Sequence, residues 1–361
     1  MRKLLKGLIL IVVVATVVFL DQRSHVDDEH TLNVYGWHGI IPPSVIKNFE
    51  KETGIKVTYD VYDNNDTMEA KLIATGGVHD VVFPSFIPYA ARQSHMGLFK
   101  KLNYAKLPNF CNISKSICSK IAQSGRYLDY LIPFFWGTVG VAINKEIVYE
   151  FLPNVDVNSY DIILNPENLK VLSKQGVSFP EEFTDIFPQV MVYLRRDPNT
   201  RSKENLKAFA DHFKKIRKYI TKFSSTTIVN DLLTENICIG IGSSDCINKA
   251  VIASKGKDGK AKIKSISLNE GGLLWVDCIC IPKSARHTEN AYKFINYMMR
   301  KDVCLRITRY SGIQIMTNSE EEEKIKSMIF GAPSKNSDDM DFDKAATRAW
   351  TKIRLNNFED D

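Results

Sequence analysis

The chain has 361 residues, 44% of them apolar, which suffices for one large hydrophobic core or two medium ones. Its formal charge of +6 includes Arg2, Lys3 and Lys6, and without residues 1–20 the balance falls to +3, too near neutral to support a nucleic-acid partner. The sequence contains no HExxH, no GxSxG and no phosphate-binding loop, and its seven histidines fall in no metal-ligand spacing, so neither catalysis nor a metal or other cofactor is expected.

In chain order, the first segment is MRKLLKGLILIVVVATVVFL, where three cations precede an apolar run from Gly7 to Leu20. That length suits a signal-peptide core better than a membrane span of about 20 residues. No small-x-small triplet stands near Leu20, so residues 1–20 read either as an export leader or as an uncleaved N-terminal anchor. Seven cysteines are an odd number, and in an oxidising compartment at least one of them stays unpaired or pairs between chains. Cys278 and Cys280, at strand spacing, read as small packing residues rather than metal ligands.

From Thr31 strand and helix patterns alternate. LNVYG reads as a strand, PPSVIKNFEKETG as a helix with Val45, Ile46 and Phe49 inside and Gly54 as its stop, and KVTYDVY as a strand with Val57, Tyr59 and Val61 alternating. NNDTMEAKLIATGG supplies an Asn/Asp helix start and a Gly-Gly stop, and DVVFPS a third strand, giving a βαβαβ unit and a mostly parallel sheet. A second unit begins near LIPFFWGTVGVAIN, whose run from Val139 to Ile143 reads as a buried strand. KENLKAFADHFKKIRKYI places Leu206, Phe209, Phe213 and Ile216 on one helical stripe, and ICIGIG reads as a core strand. GGLLWVDCICIPK follows a polar loop at residues 254–262; then come a helix with Thr288 as N-cap, a second helix stopped at Gly312, an acidic stretch and a last helix around AATRAWTKIR.

Within GGLLWVDCICIPK the carboxylate of Asp277 stands in a strand destined for the interior, two residues after Trp275. A buried unpaired charge is costly, so Asp277 needs a partner. Other acids stand at element ends: Glu182 and Asp185 in SFPEEFTDIF, and Asp245 in GSSDC. Pro180, Glu181 and Glu182 also form an ordinary helix start, and Trp37 and Ser85 have plain readings as a packing residue and a helix cap.

One resemblance covers the chain from about Leu32 to Arg354. YGWHGIIPPSVIKNFEKETGIKV, NNDTMEAKL, DVVFPS, IPFFWGTVGVAIN, EGGLLWVDCICIP, AYKFINYMMRKDV and TRAWTKIR resemble, in this order, the spermidine/putrescine-binding proteins of bacterial ABC transporters, and YLRRDPNT leans toward the putrescine-binding branch. The resemblance implies an α/β two-lobed periplasmic-binding-protein fold of type II, each lobe a mostly parallel sheet flanked by helices, with the ligand cleft between lobes. Residues 31–138 with 275–312 would form one lobe and residues 139–274 with 313–361 the other. It also implies a periplasmic, monomeric, non-enzymatic polyamine carrier that delivers to a membrane permease. Carried over by motif, Trp37 and Trp275 would be walls, Ser85 a polar contact, and Glu182, Asp185, Asp245 and Asp277 the anions that receive amines; His38 and Gln314 would also line the cleft. The pattern departs at His38, Gly39 and Ile40, where the family has a polar residue, an acid and a tyrosine. Ser243 and Gln314 stand near or at positions of cleft aromatics, and beyond Ser85 either Ile87 or Tyr89 takes the next one. A thinned cage implies weaker affinity or another small cationic or organic ligand.

Overall fold

A computed structural model describes residues 29–75, 78–315, 322–333 and 337–356. The leader at residues 1–20 and the Gly76-Gly77 stop lie outside the described residues. Among the described residues no helix is long and apolar enough to cross a membrane.

The first half is built from β1 (Thr31–Trp37), α1 (Pro43–Thr53), β2 (Lys56–Tyr62), α2 (Asn65–Thr75) and β3 (Val81–Val82), with β1 parallel to both its neighbours. Helix α1 ends as its sequence predicts, at Gly54 in the left-handed conformation (φ 72°), where the residue's N–H caps the carbonyl of Glu50. The expected alternation in β2 fails at its end: Val61 is exposed and Tyr62 buried. This edge strand has no partner beyond it, and Tyr62 turns inward to pack edge-on against Tyr35 and beside Trp37.

Strand β4 (Leu131–Asn144) starts earlier than the sequence pattern suggests and runs for 14 residues. Its length follows from its task. Leu131 to Trp136 are buried in a first hydrophobic cluster that also holds β1, β3, and the helices α6 (Thr288–Met298) and α7 (Lys301–Ser311), whereas Val139 to Ile143 are buried mainly in a second. The second cluster gathers β5 (Val177–Phe179), α3 (Phe183–Tyr193), α4 (Lys203–Ile216) and β7 (Ile239–Ser243), near β6 (Lys222–Phe223). Helix α5 (Ser244–Ala253) and β8 (Ile263–Ile266) close against β4, and β9 (Leu273–Cys280) then carries the chain back. Leu273 belongs to the second cluster, Leu274 and Val276 to the first, and the partly buried ring of Trp275 packs against both.

Because β4 leads out and β9 returns, the two are antiparallel, from Leu131 opposite Cys280 to Val139 opposite Leu273, with a bulge between Pro133 and Phe135. The sheet order is β2-β1-β3-β9-β4-β7-β5-β6, with parallel pairs on the two flanks and this antiparallel pair between them. Two short strands pair off this path, β10 (Gln314–Ile315) on β4 and β11 (Ile329–Phe330) on β9, and the 18-residue helix α8 (Ser337–Arg354) returns to the second cluster through Ala346, Trp350 and Ile353. Ile313, Ile315 and Ile325 are buried in the first cluster. Thr288, expected as a cap, is instead the first residue of α6, and the cap position is His287.

Gly137 sits opposite Trp275 in the central pair, and a Cβ there would lie 2.4 Å from Trp275 Cζ2 and 2.6 Å from Ser244 Oγ. The missing side chain is the space the indole occupies. Gly137→Ala should therefore displace Trp275 and lower stability by about 1–3 kcal/mol, as overpacking does; thermal melts and tryptophan fluorescence would read both effects, and an unchanged melt would show that the ring yields freely.

Candidate functional site

Asp277 and Trp275 lie two residues apart on β9 and so project from the same face of the strand. On the side of β9 away from β4, the chain after β3 forms an antiparallel bridge between Ser85 and Asp277, and Cys278 N–H donates to the carbonyl of Pro84. This registers the Ser85 hydroxyl on Asp277, where Oγ donates to Oδ1 at 2.6 Å. Ser85 does occupy the cap position of the following turn, yet its side chain makes no capping bond. The hydroxyl is spent on the carboxylate instead.

Asp277 is 6% exposed, forms no ion pair, and accepts no hydrogen bond at Oδ2 from any described residue. Burial pushes its carboxyl up to about 7; the Ser85 bond pulls it down, Asp245 raises it again, and the nearby indole N–H of Trp37 lowers it slightly. That indole N–H makes no hydrogen bond of acceptable geometry, so we treat it as a neighbour of Asp277 and not as its partner. Trp37 itself is held at the end of β1 by Tyr62, with ring centroids 4.6 Å apart, and by the Tyr59 hydroxyl, which donates to the Trp37 carbonyl at 3.3 Å.

Asp245 enters from the other half, in the first turn of α5. It is positioned through Ser244, whose Oγ accepts from the Thr138 N–H at 3.1 Å and lies beside Gly137 and the Trp275 ring. Lys249, one turn along α5, approaches Asp245 Oδ2 at 3.5 Å. Asp245 thus lies at an element end, as its sequence context suggests, and has a cationic neighbour on its own helix.

A second acidic group forms at the start of α3. Glu182 is the residue before the helix and Asp185 lies in its first turn, as an ordinary helix start would place them; the Glu182 side chain makes no cap hydrogen bond, and Arg354 is near enough to lower its proton affinity. Burial pushes Asp185 up to about 7, helped by Glu182. Glu182 is raised by desolvation and then by Asp66, although its side chain is solvent-exposed, so water weakens the effect there. Asp66, in the first turn of α2, accepts from the Tyr89 hydroxyl at 2.9 Å. Burial and then these acids hold the phenol well above its ordinary range. Tyr89, and not Ile87, thus faces the acids, while Ile87 packs on the first cluster.

The structure brings Trp37, Ser85, Asp245, Trp275 and Asp277 together, and sets Glu182 and Asp185 on a helix packed against β9. His38 is exposed in the turn after β1, and Gln314 is exposed on β10 opposite Trp136. Neither makes a contact with the acids. Sequence reasoning missed Asn65 and Asp66: they were legible only as the start of a helix, and their neighbours lie on other segments. Among the described residues no group of acids, histidines and cysteines has the arrangement to hold a metal ion. What the site can do chemically is receive cations: among the described residues Asp277 and Asp185 have no ion-pair partner, Asp245 is shared with Lys249, and the indoles of Trp37 and Trp275 stand nearby.

A model of the bacterial extracellular solute-binding protein family matches residues 44–328. A putrescine-binding periplasmic protein of Pseudomonas aeruginosa is 34% identical, covering 98% of this chain and 99% of that protein. A putrescine-binding periplasmic protein of Escherichia coli is 33% identical over 91% of this chain and 92% of its own length. The crystal structure of a spermidine/putrescine ABC transporter substrate-binding protein from Streptococcus pneumoniae superimposes with a TM-score of 0.73 at 20% identity, covering 91% of this chain and 99% of that one.

In the free protein Asp277 keeps its proton to a higher pH than it would unfolded, where a carboxyl titrates near 3.9. The folded state therefore binds more protons between about pH 4 and 7, and this group's contribution to stability falls as pH rises through that window and is flat above it. Asp277→Asn removes the effect while keeping an acceptor for Ser85. Its stability should match the parent's near pH 4 and exceed it at pH 8, by a gap on the order of 4 kcal/mol, read from melts at the two pH values. A variant less stable than the parent at pH 8 would reveal an internal cation that Asp277 serves.

Proposed function

We propose that this chain, which belongs to the bacterial extracellular solute-binding proteins, captures a polyamine such as putrescine or spermidine outside the cytoplasm and delivers it to the permease of an ABC transporter. One observation carries the reading: Asp277 is buried near the Trp37 indole and two residues from Trp275 on the same strand, with one oxygen engaged by Ser85 and no ion-pair partner among the described residues. Protonated amines on an alkyl chain need separated carboxylates and flat apolar walls. Asp277 with Asp245 offers one anionic end, Glu182 with Asp185 another, and Trp37 and Trp275 the walls. The names of the relatives support the same ligand class. Family membership and the lack of a recognisable nucleophile and base favour capture without catalysis.

Residues 31–138 with 275–312 would make one lobe and residues 139–274 the core of the other, hinged at β4 and β9 and closing on the ligand. The burial of Ile313, Ile315 and Ile325 favours assigning that segment to the first lobe, leaving α8 to the second. A monomer exported by residues 1–20, whether or not that leader is cut, fits the same role. His38 and Gln314 would lie at the rim. A second reading, a different small cationic or organic ligand in the same cleft, is favoured by Ile40, Ser243 and Gln314 where the family pattern has aromatics.

Calorimetric titration with putrescine, cadaverine, spermidine and spermine tests both readings. Binding should raise stability by roughly 2.7 kcal/mol at about 100 times the dissociation constant and make the scattering profile more compact. No heat, no shift in melting and no compaction up to millimolar polyamine would end the polyamine reading. Asp277→Asn should weaken binding about thirtyfold or more, since breaking a desolvated charge pair costs roughly 2–5 kcal/mol; unaltered affinity would remove Asp277 from the site. Ile40→Tyr and Ser243→Trp should each tighten polyamine binding by up to about tenfold, the scale of one cation–π contact. Weaker binding in both would mean that the cleft is shaped for another ligand.

A further inference from the structure

Behind Ser85 stands a residue with no hydrogen bond to Asp277, Asp245 or either indole. Asn65, at the start of α2, holds Ser85 from two sides: its Nδ2 donates to Ser85 Oγ at 2.9 Å, and its Oδ1 accepts from the Ser85 backbone N–H at 3.1 Å. The polarity of this clasp is forced. A backbone N–H can only donate, so the amide oxygen must face it and the amide nitrogen must face the hydroxyl. The hydroxyl then accepts from Asn65 and has a single proton left to give, and at 2.6 Å the carboxylate of Asp277 receives it. A serine without that clasp could equally turn its lone pair toward an incoming ammonium, or its proton toward water.

We infer that Asn65 is a positioning residue for cation capture: by fixing the Ser85 hydroxyl as a donor to Asp277 Oδ1, it presents Asp277 as an oriented anion whose other oxygen is left for the ligand. The inference rests on the polyamine reading of the cleft. It assigns Asn65 no contact with the ligand, and its effect runs entirely through Ser85. The relay also joins α2, β3 and β9, three segments far apart in sequence, so that the start of one helix sets the charge geometry at the centre of the sheet. The other titratable groups around Asp277 are Asp245, the Tyr62 phenol and the Cys278 and Cys280 thiols, and none of them is bonded to Asn65.

A double-mutant cycle with putrescine and spermidine tests this. Ser85→Ala should weaken binding about tenfold, the scale of a hydrogen bond to a charged group, and Asn65→Ala by somewhat less. Asn65→Ala in the Ser85→Ala background should add nothing, because the residue it acts through is gone. In the ligand-free protein, carboxyl carbon NMR should show the Asp277 midpoint rising in Asn65→Ala relative to the parent and unmoved between Ser85→Ala and the double variant. Asn64→Ala serves as the structural control, since Asn64 Oδ1 caps the Thr67 N–H at 2.8 Å on the same helix and makes no bond to Ser85; affinity should stay as in the parent. If Asn65→Ala does not fold, Asn65→Gln keeps the amide but moves it by one methylene and should show the same loss. Additive losses, an unmoved Asp277 midpoint, or an equal loss in Asn64→Ala would overturn the inference. A parent that binds no polyamine would instead sink the ligand reading, and the NMR arm would still decide the role of Asn65.

Discussion

A carboxylate held in the interior without a cation is a standing cost, and the arrangement around Asp277 depends on tolerating it. Desolvation dominates the environment of this group, and one hydrogen bond from Ser85 recovers part of the loss. The site does not neutralise the charge with an internal lysine or arginine. The nearest basic residue in the acidic set, Lys249, is directed at Asp245 on the outer side. An interior that keeps its anions unpaired is poised to gain free energy from an arriving cation, which is the economy a capture protein needs.

The same pair of strands ties the site to both hydrophobic clusters. β4 and β9 are the long antiparallel elements on which both hydrophobic clusters rest, and Trp275 packs against the two clusters at once. The side chains of the proposed site stand on or beside this pair: Asp277 and Trp275 on β9, and Asp245 next to Ser244, which lies against Gly137 and Thr138 of β4. Asp66 on one flank lies close enough to raise the proton affinity of Glu182 on the other, and both raise that of the Tyr89 phenol. Like charges facing one another across a cleft resist its closure until a cation lies between them.

Packing supplies the precision. Gly137 leaves space for an indole, Tyr62 and Tyr59 fix Trp37, and Asn65 fixes Ser85, so each group that would touch a ligand is held by a neighbour that would not. Preorganisation of this kind lowers the entropy that binding must overcome.

Local sequence determined the elements wherever chemistry and period agree: the left-handed stops at Gly54 and Gly312, the apolar stripe of Phe209, Phe213 and Ile216, and the strand that carries Asp277. The oddity of Asp277 was legible too, because a carboxylate in an apolar strand is anomalous without any knowledge of the fold. Tertiary structure alone decided who stands next to it. Ser85 lies 192 residues away along the chain and Asn65 another 20 beyond that, and their bonds arise from a bridge between two strands that no local pattern encodes. The length of β4 was hidden for a related reason: a strand that crosses two cores is apolar on both faces along its whole course, so periodicity cannot mark where it begins. Val61 turned outward because an edge strand is bound on one side only, and Tyr89 rather than Ile87 faced the acids because the turn after Ser85 rotates the chain between them. Short-range stereochemistry is written in neighbouring residues, whereas the meeting of distant side chains depends on sheet register, and register is a property of the folded whole.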